Sequence, residues 1–176
     1  MKMISAKGIK ILKITHLLFV VMWVGGSFCM ALLLLTTSPQ ESHQLYMRSY
    51  VMKLIDDWLI IPGAVCVTIT GFVYGFWTNW GFFKHRWIVV KWMLNILLIL
   101  LGTFLLGAWV NGNVYPAEDI SRYTLDNSAF FYNVSQTIIW GFVQIFVLLI
   151  IIIISVFKPW KSKKNKKEVL LPRPQQ

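Results

Sequence analysis

The sequence predicts an all-α integral membrane protein: an antiparallel bundle of four transmembrane helices with both termini cytoplasmic. Three observations lead there. The 176 residues are 57% apolar and only 14% charged, far from the composition of a soluble domain. The apolar residues fall in four blocks, each close to the ~20 residues that a membrane-spanning helix needs. The basic residues gather on alternate sides of those blocks, as the positive-inside rule requires. An isolated span must be helical, because only a helix satisfies its backbone hydrogen bonds within one segment.

Helix 1 is predicted over 9–36. It follows a basic start, "MKMISAKGIKILK", that could open a signal peptide. Its apolar run is longer than a signal-peptide core and no A-x-A-like site follows, so it reads as a retained helix. Helix 2 is predicted over 58–77, with Pro62 in its first turn, where a missing N–H costs little. Its "GFVYG", Gly71 to Gly75, is a small-xxx-small step that lets a neighbouring helix approach, and "WVGGSF" gives helix 1 a similar patch at Gly25, Gly26 and Ser27. Helix 3 is predicted over 87–109 and helix 4 over 138–157. Together these form a transmembrane domain over 1–160, followed by a basic, disordered cytoplasmic tail over 161–176. The loop between helices 3 and 4 is long enough to hold a short amphipathic piece. Trp58, Trp77, Trp80, Trp87, Trp109 and Trp160 lie near the ends of the blocks, as an interfacial aromatic belt would. Cys29 and Cys66 have no metal-type spacing and read as small buried apolar residues.

The net charge of +10 resembles a nucleic-acid signature until it is mapped. Lys2, Lys7, Lys10 and Lys13 precede helix 1, Lys84 and Arg86 lie between helices 2 and 3, and the tail carries seven more bases. The other side holds only Arg48, Lys53 and Arg122, with six of the seven acids. The bases therefore set topology and contact the lipid bilayer, with the tail on anionic lipids, and no nucleic-acid partner is expected.

Several polar residues fall inside the spans. His16 lies about seven residues into helix 1 and Lys91 about four into helix 3. Both helices run outward from the cytoplasm, so at ~1.5 Å per residue the two groups differ in depth by only ~5 Å. Tyr74 reaches the same layer from helix 2, and Asn95 lies one turn beyond Lys91. Trp23 and Ser27 share a face with His16, and Gln136, Trp140 and Gln144 form a stripe on helix 4. Plain structural roles exist for each: Lys91 can snorkel toward the headgroups, His16 can hydrogen-bond a neighbouring helix, and the glutamines can join helices. His43 and His85 fall in loops facing water. Ionisable groups inside a membrane are nevertheless functional candidates. A neutral imidazole is an axial ligand for haem iron, and a four-helix bundle supplies a deep apolar slot. Lys10, Lys13, Lys84 and Arg86 could meet tetrapyrrole carboxylates, and a desolvated Lys91 could pair, ligate or move a proton.

Four segments taken in order resemble the bacterial HemJ proteins, the membrane-embedded protoporphyrinogen oxidases. "HLLFVVMWVGGSF" is similar to their first helix, "IIPGAVCVTITGF" to their second, "WIVVKW" to their third and "VFKPW" to the end of their last. Copper-resistance CopD domains and other bacterial four-helix membrane proteins share the pattern more loosely. The resemblance implies location in the bacterial inner membrane, a haem b cofactor, and six-electron oxidation of a porphyrinogen substrate. It also implies a catalytic and metal-binding role for His16 and a functional role for Lys91. The expected site thus comprises His16 and Lys91 with Trp23, Tyr74, Asn95 and Arg86 around the cofactor. Rival readings are a small proton- or anion-handling carrier or channel subunit and a non-catalytic membrane partner protein. Assembly of copies into a homo-oligomer stays open.

Overall fold

The computed structural model describes residues 4–77, 85–114, 123 and 126–158. Among them the chain is all helical, with no strand. α1 covers Ala6–Thr36. α2, Ser42–Ile55, passes through a π-helical segment, Asp56–Ile60, directly into α3, Ile61–Trp77. α4, Arg86–Leu101, passes through a second π-helical segment, Gly102–Leu106, into α5, Gly107–Gly112, and α6 covers Ser128–Phe157. Four continuous helices, 6–36, 42–77, 86–112 and 128–157, are each long and apolar enough to cross a membrane.

Local rules set the ends of these helices. Ser5 caps α1 by accepting from the Gly8 N–H at 3.2 Å. At its far end Thr36 and Thr37 donate to the Leu32 and Leu33 carbonyls, and Ser38-Pro39 in the sequence forbids another turn. Asn127 caps α6 by accepting from Phe130 N–H at 3.1 Å. α6 stops at Lys158, which takes a left-handed conformation, φ 46°, before Pro159 in the sequence.

Two helices are longer than the apolar blocks suggest. The second was expected over 58–77 but starts at Ser42, which puts His43 on a helix, still exposed, rather than in a loop. The added segment is amphipathic: Leu45, Arg48, Ser49 and Met52, spaced i, i+3, i+4 and i+7, turn inward. The last helix was expected over 138–157 but starts at Ser128, with Phe130, Val134 and Thr137 buried on one face. Both extensions are half polar, so hydropathy alone truncates them. The expected tail over 161–176, Trp80 and Lys84 lie outside the described residues.

Two apolar cores stack along the bundle. One, at the α2 end, joins Met30, Leu34, Leu45, Met52, Val110, Tyr123, Phe130 and Val134. The other joins Trp23, Leu98 and Leu148 from α1, α4 and α6. Lys53 links the α2 end to α5, donating to Asn111 Oδ1 at 2.7 Å while paired with Asp57 at 2.9 Å. Outside these cores the surface is apolar. Val21, Leu32, Phe104 and Val156 are each more than 60% exposed. So much exposed hydrocarbon is foreign to a water-soluble monomer and matches contact with lipid. Cys29 is exposed on that surface and Cys66 is half-buried, both as free thiols, so neither is the buried apolar filler expected of it.

α1 and α3 pack closest, and glycine decides where. A Cβ on Gly63 would lie 2.7 Å from Trp23 N and 3.0 Å from its Cα, and one on Gly26 would lie 2.9 Å from Leu59 Cβ. The "GFVYG" step does something else. A Cβ on Gly71 would meet only the Trp92 ring, at 3.4 Å, an ordinary contact. The tight helix approach is thus made at Gly26 and Gly63, and Gly25 faces open space.

Candidate functional site

His16 on α1 faces α3. Its Nδ1 lies 2.7 Å from Thr70 Oγ1. The single hydroxyl proton of Thr70 is directed to main-chain carbonyls of its own helix, Cys66 O at 2.6 Å and Val67 O at 3.0 Å. With its proton so directed, the Thr70 oxygen accepts from His16 in the tautomer that carries the imidazole proton on Nδ1. In that tautomer Nε2 keeps its lone pair, and it has no hydrogen-bond partner among the described residues. A carrier of one fixed tautomer, held from behind by a buried hydroxyl, is how a ligating histidine is prepared. The Tyr74 ring meets the imidazole edge-on, with centroids 5.9 Å apart.

These side chains stand on a cavity of about 620 Å³ bounded by α1, α3, α4 and α6. Lys91 and Asn95 enter from α4, Tyr74 from α3, His16 and Trp23 from α1. Asn95 is fixed by donating to Thr68 Oγ1 at 3.0 Å, and Thr68 in turn donates to Ala64 O at 2.8 Å. Lys91 is half-buried on this wall. The cavity thus brings together five of the six residues singled out in the sequence: His16, Lys91, Trp23, Tyr74 and Asn95. Arg86 is not among them. It is exposed in the first turn of α4, and its side chain does not line the cavity.

Other lining groups carried weaker signals. Lys13 had been considered only for its charge, and it does line the cavity, as does Lys158. Trp87, read in the sequence as part of an interfacial belt, lies at the start of α4, is buried and walls the cavity, with Lys158 Nζ 5.9 Å from its ring centroid. Thr70 could be found only by knowing which way α3 is rotated. Gln144, from the helix 4 stripe, is buried and donates to Ser27 Oγ at 3.2 Å, a link between α6 and α1.

The cavity offers the His16 imidazole and the amines of Lys13, Lys91 and Lys158 as donors to iron. Among the described residues no cluster of three or more His, Cys, Asp or Glu side chains forms a metal centre. The donor set fits a macrocycle that brings four nitrogens of its own and needs one axial histidine. The volume falls within the range of cofactor pockets, and the walls are largely apolar. No protein-family model, curated protein or solved structure matches the chain.

Proposed function

We propose that this chain is a haem- or porphyrin-binding protein of the bacterial inner membrane, an oxidoreductase of the protoporphyrinogen oxidase type. Its four spans run antiparallel with both termini cytoplasmic. The bond from Ile4 N to Trp77 O, which ties the start of α1 to the end of α3, supports the antiparallel reading. The thirteen bases on one side against three on the other support the orientation.

One observation carries the cofactor reading: the His16–Thr70 bond, which leaves Nε2 as a neutral donor on the wall of an apolar cavity. Haem b, when bound, supplies a one-electron iron couple. The protein's part is to hold and orient it. His16 would hold the iron through its free imidazole nitrogen, with Thr70 fixing the ring. Trp87 and Trp92 exclude water from the cavity, and Lys13 and Lys158 offer cations to tetrapyrrole carboxylates. Lys91 and Tyr74 are the groups on this wall that can move a proton.

An optical spectrum of the purified protein in detergent, supplemented with haem, tests this. The wild type is expected to show a Soret band, His16→Ala to lose or shift it, and Lys91→Met to stay folded while retaining cofactor less well. A wild-type protein with no Soret band, or a His16→Ala variant with an unchanged one, refutes the reading. A neutral or stabilising Lys91→Met would mark Lys91 as a snorkelling residue instead.

A further inference from the structure

A second cavity, of about 670 Å³, lies between α1, α3, α4 and α6, toward the α2 end. Both π-helical segments border it, with Asp56 from the first and Gly102, Thr103 and Leu106 from the second. Such turns recur at functional sites. Leu35, Val65, Ile69 and Phe142 line the cavity and are also exposed, so its mouth opens on the lipid-facing surface.

The inward stripe of α2 ends in a charge. Asp56 follows Met52 by four residues, so it continues the buried face of Leu45, Ser49 and Met52. It is 8% exposed, and it lines this cavity and not the other. Among the described residues its carboxyl accepts no hydrogen bond and forms no ion pair within 4 Å. Its oxygens still keep accessible surface, unlike Trp23 Nε1 and Arg48 Nε and Nη2, which are unpartnered and sealed in. Lys53, one turn earlier, is held by Asp57 at 2.9 Å and by Asn111 at 2.7 Å. Arg48, two turns earlier, is buried away from the cavity, and no lysine or arginine lines it. The Asp56 carboxylate is therefore the one charge on a largely apolar wall.

Depth makes that charge tenable. Trp58, two residues on, is 72% exposed, and the Lys53–Asp57 pair beside it is partly exposed. Exposed tryptophan and paired surface charges mark the boundary of membrane and water. From Asp56 the cavity runs inward to Trp23, which is 17 residues from the start of α1 and 13 from its end, near the middle of the span. A fitting ligand carries a positive charge at the Asp56 end and an apolar body below it. An anion would be repelled, and a neutral lipid would leave the carboxylate without a partner. A calcium-like metal ion would need ~6–8 oxygen ligands, and this wall supplies a single carboxylate. An organic cation with its charge spread over apolar groups needs no such shell and gains from aromatic faces. Trp23, Phe72 and Phe142 offer them here. We propose that this second cavity binds a lipid-soluble organic cation, its charge facing the Asp56 carboxylate and its apolar body lying among these three rings. The site rests on no part of the porphyrin reading, and its test needs no haem.

The test is isothermal titration of the purified full chain, in an uncharged detergent, with methyltriphenylphosphonium. Beside it runs 1,1,1-triphenylethane, which carries the same three rings and methyl group on carbon and has no charge. Saturable binding of the cation, well above that of the hydrocarbon, is expected. Asp56→Asn keeps the shape and removes the charge. It should weaken cation binding about 10- to 100-fold, as for opposite charges several ångströms apart at intermediate dielectric. Gly141 lines the cavity and a Cβ there meets nothing within 4 Å, so Gly141→Met should fill the space and abolish binding. Gly25 also faces open space but lines neither cavity, so Gly25→Met should bind like the wild type. No saturable cation binding by the wild type overturns the proposal. So does equal binding of cation and hydrocarbon, which would make the cavity an acyl-chain groove; that comparison needs no variant. Wild-type affinity in either Asp56→Asn or Gly141→Met overturns it as well, since the cation would then sit elsewhere.

Discussion

Replacing Gly63 by leucine tests the closest contact in the bundle. A Cβ there would stand 2.7 Å from Trp23 N and 3.0 Å from Trp23 Cα. Comfortable separations are ~3.5–4.0 Å, so α1 and α3 would have to part by roughly 0.5–1 Å. The obstacle is main chain, which no rotamer change can move aside. Overpacking of this kind costs ~1–3 kcal/mol and sometimes more. Part is hidden by the gain of ~1 kcal/mol from removing a helical glycine. Gly25→Leu isolates that gain, because its Cβ meets nothing within 4 Å. Gly71→Leu lies between, since it presses only on the Trp92 ring. The measurement is reversible unfolding in mixed micelles, followed by helical circular dichroism. The expected order of stability is Gly25→Leu, then Gly71→Leu, then Gly63→Leu, with the first and last ~1–3 kcal/mol apart. If Gly63→Leu falls within ~0.5 kcal/mol of Gly25→Leu, the α1–α3 approach described above is wrong.

Thr70→Val removes the acceptor that fixes the His16 tautomer while keeping the side-chain shape. Haem titration of this variant should show ~10–100-fold weaker binding, as for other lost partners of ligating histidines, and Thr70→Ser should restore it. With Cys29 and Cys66 replaced by serine, a cysteine at Ser38 should react with an impermeant thiol reagent added to intact cells, and one at Ser162 should not. The reverse pattern would invert the orientation.

Spans were legible in the sequence because they depend on composition, which a sum over a window captures. α2 was not, because "SHQLYMRSYVMKLI" alternates polar and apolar residues at helical spacing and its mean is near neutral. Its stripe of Leu45, Arg48, Ser49 and Met52 is visible once a 3.6-residue period is sought. That His16 and Lys91 share one cavity could be foreseen by counting residues from a common side. The bond from His16 to Thr70 could not, since it depends on the rotation of α3 about its axis. The same rotation decides that Gly63, and not Gly71, meets a neighbour's backbone.

The two π-helical turns also bear on chain length. Each holds one residue more than an α-helical turn would. In a regular α-helix one residue corresponds to ~100° of rotation. Deleting a single residue within Asp56–Ile60 would thus restore regular winding and keep Ser42–Ile55 on nearly the same face relative to Ile61–Trp77, whereas winding the undeleted segment regularly would swing it by roughly that angle. In the second case Leu45 and Met52 would leave the core, and the exposed side of α2 would replace them. Likewise, a homologue with an uninterrupted second helix would align to this chain with a one-residue gap near 56–60. Aligned without that gap, its α2 positions would be matched to the wrong face.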